Sequence, residues 1–207
     1  MTINELILSF WDRHATHYRH ADGTPTGELD NYRDSLRPLR KLYGSTPARD
    51  FSPLKLKAVR KSMIDVGLSR TTINQRVGRI VRVFKWAASE ELVPAAVHQA
   101  LKTVSGLPKG RSEAKEPKPV QPVADALVDA IRPFVASQVW EMIELQRLAG
   151  MRPGEVVIMR TCDVDRSGDV WCFVPKSHKT AHHGRTRQIA IGPRAQDVLK
   201  PWIRANT

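Results

Sequence analysis

Apolar residues in the first hundred positions recur at helical spacing, with turn-forming residues between the runs. The first two runs are Ile3, Leu6, Ile7 and Phe10, followed by Leu29, Tyr32, Leu36, Leu39 and Tyr43. A third run follows Ser52 and Pro53, which suit a helix cap and a first helical turn. A fourth and longer helix opens at Ser69. The pattern predicts a helical bundle over residues 1–103.

The helical pattern stops after residue 103, and the stretch SGLPKGRSEAKEPKP is rich in Pro, Gly, Ser and charge. Such a composition is typical of an extended linker that has no core of its own. We therefore expect a basic linker at 104–119 and a second domain at 120–207.

The second domain combines helical and strand patterns. Two helices that end at Gly150 are predicted from Val123, Leu127 and Ile131, then Val139, Ile143 and Leu148. A short helix over 153–159 precedes two predicted strands, DVWCFV at 169–174 and TRQIAI at 186–191, joined as a long-turned hairpin, and a last helix begins at Pro193. The predicted fold class is mainly α with a small antiparallel β-sheet, that is, α+β.

Charge narrows the choice of partner. The chain has 33 Lys and Arg against 21 Asp and Glu, so its net charge is +12 and a polyanion is the expected partner. No apolar run approaches the roughly 18 residues of a membrane-spanning helix, and the first residues do not resemble a signal peptide. We expect a cytoplasmic, nucleoid-associated protein without a membrane partner. Cys162 and Cys172 are too few for a zinc site and are interpreted as reduced, packed thiols.

The helix that opens at Ser69 carries the strongest basic pattern. At about 100° per residue, one arc of this helix is apolar and is expected to pack into the bundle. The residues in this arc are Ile73, Val77, Ile80, Val81, Phe84 and Ala88. The predicted DNA-contacting residues of this helix are Arg76, Arg79, Arg82 and Lys85 on the opposite half, and Arg70, Thr71, Thr72 and Asn74 near its start. The alternative is a solvated basic face without a ligand. RNA is the weaker choice of nucleic acid, since aromatic residues for base stacking are only 6% of the chain.

The segment LQRLAGMRPGEVVIMRTCDVD contains a candidate anion site. Gly150 can end one helix, and Pro153 suits the start of the next and favours an extended Arg152 at its N-terminus. Glu155 follows three residues later, where its carboxylate can reach free backbone N–H groups or the arginine. A buttressed guanidinium beside helix-end N–H groups suits a phosphate. The alternative is an Arg–Glu pair that only pins two helices together.

Three stretches resemble the tyrosine recombinases, the phage-integrase family, in the family's order. LAGMRPGEVVIMRTCDVD resembles the first catalytic-arginine box. SHKTAHHGRTRQIAI resembles the β-hairpin, with Lys179 near the turn followed by Arg187 and the short strand Ile189–Ile191. GLSRTTINQRVGRIVRVFKWAASEELVP resembles the last long helix of the core-binding domain. The resemblance implies a SAM-like core-binding bundle joined by the linker to part of an α+β catalytic domain.

The chemistry implied by this resemblance is DNA strand exchange without metal or other cofactor. In the family a tyrosine attacks a backbone phosphate, arginines bind the non-bridging oxygens, and a hairpin lysine protonates the 5′-oxygen leaving group. By position, Arg152 takes the role of the first arginine and Glu155 supports it. Lys179 is the expected general acid, with Lys176 as the alternative because the turn is long, and Arg187 is an expected DNA contact.

The sequence also departs from the family's pattern. The family has a His-x-x-Arg, a further His or Trp, and the tyrosine on helices beyond the hairpin, and none is found there. The His182 to Arg185 match lies inside the hairpin turn and is interpreted as a coincidence. The tyrosines, Tyr18, Tyr32 and Tyr43, all precede the linker, where packing explains them.

We therefore expect a fragment of a site-specific recombinase that binds DNA but lacks the nucleophile. The alternative is a catalytically inactive DNA-binding or regulatory module on a recombinase scaffold. The expected partners are double-stranded DNA, held in a C-shaped clamp of two domains, and other copies of the chain on DNA. In solution we expect a monomer.

Overall fold

The computed structural model describes residues 1–19, 22–175 and 186–204. The chain forms two compact units, Met1–Val120 and Gln121–Thr207. The first is helical, and the second combines helices with a three-stranded antiparallel sheet. The predicted α+β fold class is therefore confirmed.

Unit 1 is built from five α-helices in its described residues. They are α1 (Ile3–Arg13), α2 (Glu28–Tyr43), α3 (Pro53–Asp65), α4 (Arg70–Ser89) and α5 (Ala95–Lys102). The helix starts follow from local sequence: the hydroxyls of Ser52 and Ser69 accept backbone hydrogen bonds at α3 and α4, and Thr2 and Glu5 form a capping box on α1. The four helices predicted from periodicity are all present.

The centre of unit 1 is α4, which packs against α1, α2, α3 and α5. Its buried residues are Ile73, Val77, Ile80, Val83, Phe84, Trp86 and Ala87. Val83 and Trp86 lie outside the single apolar arc that we predicted. Because α4 buries a wider arc than a surface helix does, part of its basic face lies against the neighbouring helix α2.

The predicted linker, 104–119, belongs to unit 1 and contains no helix or strand. It is nevertheless bound to the start of α4. The Asn74 side chain donates to the Leu107 carbonyl at 3.0 Å and accepts from the Leu107 N–H at 2.7 Å. Arg70 N donates to the Lys115 carbonyl, and Ala114 is buried. The composition predicted an irregular segment, but polar groups of the first turn of α4 supply it with partners.

Unit 2 places short elements around a small sheet. They are α6 (Asp125–Asp129), α7 (Ser137–Ala149), α8 (Pro153–Ile158), β1 (Val164–Asp165), β2 (Trp171–Phe173), β3 (Ile189–Ile191) and α9 (Pro193–Arg204). The sheet order is β1-β2-β3, with Val164 opposite Phe173 and Cys172 opposite Ala190. Both predicted strands are present but shorter than expected, and β1 was not predicted.

The core of unit 2 lies between the sheet and the helices α7, α8 and α9. The residues that form it are Leu145, Met151, Val156, Val164, Phe173, Ile189, Ile191, Ala195 and Leu199. Ile189 and Ile191 point inward, whereas Ala190 between them is exposed. This core fixes β3 against the α7–α8 turn, which carries Arg152.

The first predicted helix of unit 2 is largely absent. Only the five-residue α6 forms in this region, followed by a 3-10 turn at Arg132–Phe134. The apolar residues that predicted it, Val123, Leu127 and Ile131, are 64%, 65% and 41% exposed. Their helical spacing is real, but within the described residues they gain no buried face.

Candidate phosphate site and DNA interface

Arg152 stands at the junction between α7 and α8. Gly150 ends α7 in the left-handed conformation, with φ of 62°. Arg152 is extended (φ −74°, ψ 151°) and immediately precedes α8, whose first residue is Pro153. This local geometry was predicted from the sequence, because glycine tolerates positive φ and proline disfavours a helical residue before it. The Arg152 side chain is 48% exposed, so its guanidinium can reach a ligand.

Glu155 supports Arg152 from below the surface. Its side chain is 4% exposed and accepts from the Arg152 N–H at 2.8 Å and from Arg152 Nη1 at 2.9 Å. Burial raises the pKa of this carboxyl, but the Arg152 backbone hydrogen bond and the two guanidiniums outweigh it, so the pKa lies below its ordinary value. The carboxylate is therefore ionised at neutral pH and holds Arg152 by charge and by hydrogen bonds.

Arg187 joins the same site from the strand side. Its Nε lies 2.6 Å from Glu155 Oε1, and its Nη2 donates to the Gly150 carbonyl at 3.4 Å. The Nε–H is not aligned for a directed hydrogen bond, so the contact with Glu155 is an ion pair. Two guanidiniums thus share one carboxylate, which leaves the cluster of Arg152, Glu155 and Arg187 with a net charge of about +1.

Helix-end N–H groups contribute less to this site than we predicted. The Arg152 N–H is taken by the Glu155 carboxylate, and the Glu155 N–H donates to the Arg152 carbonyl at 2.9 Å. The helix α8 itself is six residues long, so its dipole is small. The carboxylate occupies the position that a bound anion would take at the helix end. The Arg152 guanidinium is therefore the exposed charged donor of this cluster.

Lys179, the expected general acid, and its alternative Lys176 both lie outside the described residues, as do His182 and Arg185. Their roles stay predictions.

Two of the four basic residues predicted on the exposed face of α4 are hydrogen-bonded to α2. Arg79 donates from Nε and Nη2 to the two Glu28 oxygens at 2.8 and 2.9 Å, and Arg76 Nη2 donates to Asp34 Oδ2 at 3.0 Å. The hydrogen bonds from Arg79 hold the pKa of Glu28 below its ordinary value. Arg79 is 12% exposed and Arg76 is 22% exposed. These two arginines therefore fasten α4 to α2.

The predicted DNA contacts near the start of α4 are also engaged within unit 1. Arg70 Nε donates to Glu116 at 2.6 Å, and both polar atoms of the Asn74 amide bind Leu107. The Ser69 hydroxyl lies 3.1 Å from that of Thr71 and 2.8 Å from that of Thr72. The first turn of α4 is thus occupied by capping and by the 104–119 segment.

Arg82 and Lys85 are the exposed cations of this helix face. The Arg82 side chain is 57% exposed and lies 3.8 Å from Glu28, with its guanidinium 5.9 Å from the centre of the Tyr32 ring. Lys85, one turn further on, is exposed. Of the predicted α4 contacts, these two are the best placed to meet a phosphate.

The tyrosines have structural partners in unit 1. The Tyr18 and Tyr32 hydroxyls are 2.8 Å apart, and burial raises the pKa of Tyr32. The Tyr43 ring packs against Phe51 with a centroid distance of 5.7 Å. These contacts agree with the interpretation that packing explains all three residues.

No group of three or more His, Cys, Asp or Glu side chains among the described residues could hold a metal ion. None of the helices that the structure describes is both long and apolar enough to cross a bilayer.

The chain has the fold of the tyrosine recombinases, the integrases, as its sequence motifs indicated. One similar structure is the Tn1549 transposon integrase (residues 82–397) in complex with circular intermediate DNA. It matches with a TM-score of 0.64 and 16% identity over 99% of this chain and 65% of that one.

The lambda integrase structures agree with this assignment of the fold. A lambda integrase dimer (residues 75–356) bound to a COC′ core site matches with a TM-score of 0.70 and 16% identity, over 97% of this chain and 66% of that chain. A lambda integrase tetramer bound to a Holliday junction matches with a TM-score of 0.72 and 16% identity, over 97% of this chain and 56% of that chain. No protein-family model and no curated protein sequence matches the chain. The chain spans about two thirds or less of the length of these integrases.

Proposed function

We propose that this chain binds duplex DNA through a tyrosine-recombinase scaffold, with Arg152 as a ligand of a backbone phosphate. The observation that carries the proposal is the cluster of Arg152, Glu155 and Arg187 on an integrase fold. A half-exposed guanidinium oriented by a buried carboxylate is well suited to bind a phosphate by charge-assisted hydrogen bonds. The net charge of +12 adds a sequence-independent attraction to DNA.

The same site would contribute part of the family's chemistry. Arg152 would stabilise negative charge on the non-bridging oxygens as a phosphate is attacked, and Glu155 would hold it in place. Lys179, or Lys176, would protonate the 5′-oxygen leaving group. No metal or organic cofactor is part of this proposal.

The finer proposal is that the 207-residue chain binds DNA without cleaving it. Its support is that Tyr18, Tyr32 and Tyr43 are all in unit 1 and engaged in packing. The alternative, a regulatory module on the same scaffold, shares the DNA-binding step and is not favoured by a separate observation.

A suicide-substrate assay tests the two levels of this proposal separately. The chain is mixed with a nicked or phosphorothiolate-containing duplex, and complexes are resolved on native and on denaturing gels. We expect a salt-sensitive complex on the native gel and no covalent band on the denaturing gel. A covalent band would disprove the inability to cleave. Absence of a complex at low salt would disprove DNA binding.

Arg152→Ala serves as the matched variant for the phosphate ligand. Since its side chain is half-exposed, the variant should fold with unchanged circular dichroism and bind duplex DNA about tenfold more weakly. If it unfolds instead, the arginine has the structural role of pinning α7 to α8.

Three broader proposals accompany this function. We propose that the helical domain (1–103) and the catalytic-type domain (120–207), with 104–119 between them, together clamp duplex DNA. Copies of the chain would assemble on DNA, as in the lambda integrase dimer bound to a core site and the lambda integrase tetramer bound to a Holliday junction. A cytoplasmic, nucleoid-associated location follows from a DNA substrate.

A further inference from the structure

We propose that Arg187 is a positioning residue for Arg152: it binds Glu155 and thereby sets the Arg152 guanidinium, and it does not itself bind a DNA phosphate. This inference rests on the proposed role of Arg152 as a phosphate ligand. It also revises the prediction from sequence that Arg187 contacts DNA.

The first observation is that Arg187 ties together three segments that meet at the site. It lies two residues before β3, its Nη2 donates to the carbonyl of Gly150 at the end of α7, and its Nε pairs with Glu155 in α8. Arg152 lies between Gly150 and Glu155 in sequence. A single guanidinium therefore fixes both ends of the short turn that carries Arg152.

The second observation is the difference in exposure between the two arginines. The Arg187 side chain is 29% exposed, and its Nε has less than 1 Å² of accessible surface, whereas the Arg152 side chain is 48% exposed. A group that must bind DNA needs accessible donors. Arg152 meets this requirement better, whereas the Arg187 guanidinium is held in the ion pair with Glu155 and the hydrogen bond to Gly150.

The third observation is that one carboxylate oxygen serves both arginines. Glu155 Oε1 lies 2.9 Å from Arg152 Nη1 and 2.6 Å from Arg187 Nε. Arg187 therefore neutralises part of the charge that would otherwise act on Arg152 alone. Without Arg187, the buried carboxylate would bind Arg152 as its sole cation and would leave that guanidinium less available to a phosphate.

A double-mutant cycle on the full chain tests this inference, with duplex DNA affinity measured by fluorescence anisotropy. The variants are Arg152→Ala, Arg187→Gln and their combination. We expect Arg152→Ala to weaken binding about tenfold and Arg187→Gln about three- to tenfold. Because Arg187 acts through Arg152, the combined variant should bind no more weakly than Arg152→Ala alone.

The dependence of affinity on salt adds a readout that a merely structural role would not change. Loss of one phosphate contact lowers the slope of log K against log salt by about 0.9. Arg187→Gln and Arg152→Ala should each lower the slope by up to this amount, and the combination should lower it no further. Arg187→Lys, which keeps the cation near Glu155, should recover part of the affinity. If Arg187→Gln does not fold, Arg187→Lys takes its place in the double-mutant cycle.

The possible failures are distinguishable. Additive effects and an additive fall in salt slope would mean that Arg187 binds a phosphate directly, which overturns the inference. An Arg187→Gln variant that is less stable but binds normally when folded would also overturn it and leave the proposed function intact. If Arg152→Ala itself binds normally, the proposed role of Arg152 fails, and the inference fails with it.

Discussion

Arg79 and Arg82 lie three residues apart on α4, both close to Glu28, yet the structure indicates opposite roles for them. Arg79 makes two hydrogen bonds to Glu28 and is 12% exposed, whereas Arg82 is 57% exposed and lies 3.8 Å from the same carboxylate. Replacing each by glutamine separates the two roles. We expect Arg79→Gln to affect the stability of unit 1, and Arg82→Gln to affect DNA binding.

The size of the Arg79 effect follows from its burial. An exposed ion pair contributes about 0–1 kcal/mol, and breaking a fully buried one costs about 3–5 kcal/mol. The Arg79–Glu28 pair is intermediate, because Glu28 is 30% exposed and the geometry is bidentate. We therefore expect Arg79→Gln to lower the free energy of unfolding of unit 1 by about 2 kcal/mol. Arg82→Gln should lower it by less than about 0.5 kcal/mol.

Two assays on the same preparations check this prediction. Urea unfolding followed by circular dichroism gives the stability, and anisotropy with a labelled duplex over a series of salt concentrations gives the number of phosphate contacts. Arg82→Gln should lower the salt slope by about 0.9, and Arg79→Gln should leave it unchanged as long as the protein is folded. If Arg79→Gln keeps its stability and lowers the slope like Arg82→Gln, the assignment of Arg79 to packing is refuted.

Three further substitutions test the core, the turn and the buried carboxylate by urea unfolding. Phe84→Ala should destabilise unit 1 by about 3–5 kcal/mol because its ring is fully buried, whereas Leu54→Ala, at a side chain 75% exposed, should change stability by less than about 0.5 kcal/mol. Gly150→Ala should cost about 1 kcal/mol in unit 2 from its φ of 62° alone, since nothing lies within 4 Å of the added Cβ; unchanged stability would contradict this. In the folded protein the pKa of Glu155 lies below its ordinary value of 4.5. The ionised carboxylate therefore stabilises unit 2 at pH values above 4.5. This stabilisation is lost as the pH falls through the lower pKa of the folded state. Glu155→Gln should remove this acid-dependent loss, and an identical dependence in both proteins would show that other groups cause it.

Local signals explain why much of the fold could be predicted. Ser52 with Pro53, and Ser69 before the apolar run of α4, set helix starts through hydrogen bonds and backbone restrictions within a few residues. Gly150 and Pro153 in the same way fixed the turn that carries Arg152. These predictions succeeded because the interactions span three or four residues and are visible in the sequence itself.

Periodicity alone was less reliable where burial depends on distant partners. The spacing of Val123, Leu127 and Ile131 predicted a packed helix, but these side chains are exposed. The segment 104–119 differs in the opposite sense: its composition predicted a linker with no core of its own, and the structure also binds it to α4 through Asn74 and Arg70. In both cases the missing information was whether another element lies alongside.

By itself the sequence determined the helical bundle, the position of the arginine turn and the resemblance to the integrases, because caps, turns and motifs are local. Only the tertiary structure decided which cations are hydrogen-bonded within the fold and which are exposed. Arg79 is paired with a residue 51 positions away, and Arg187 meets Glu155 across 32 positions, so neither ion pair leaves a trace in local spacing. Charge attraction depends on distance in space, and the fold alone sets that distance.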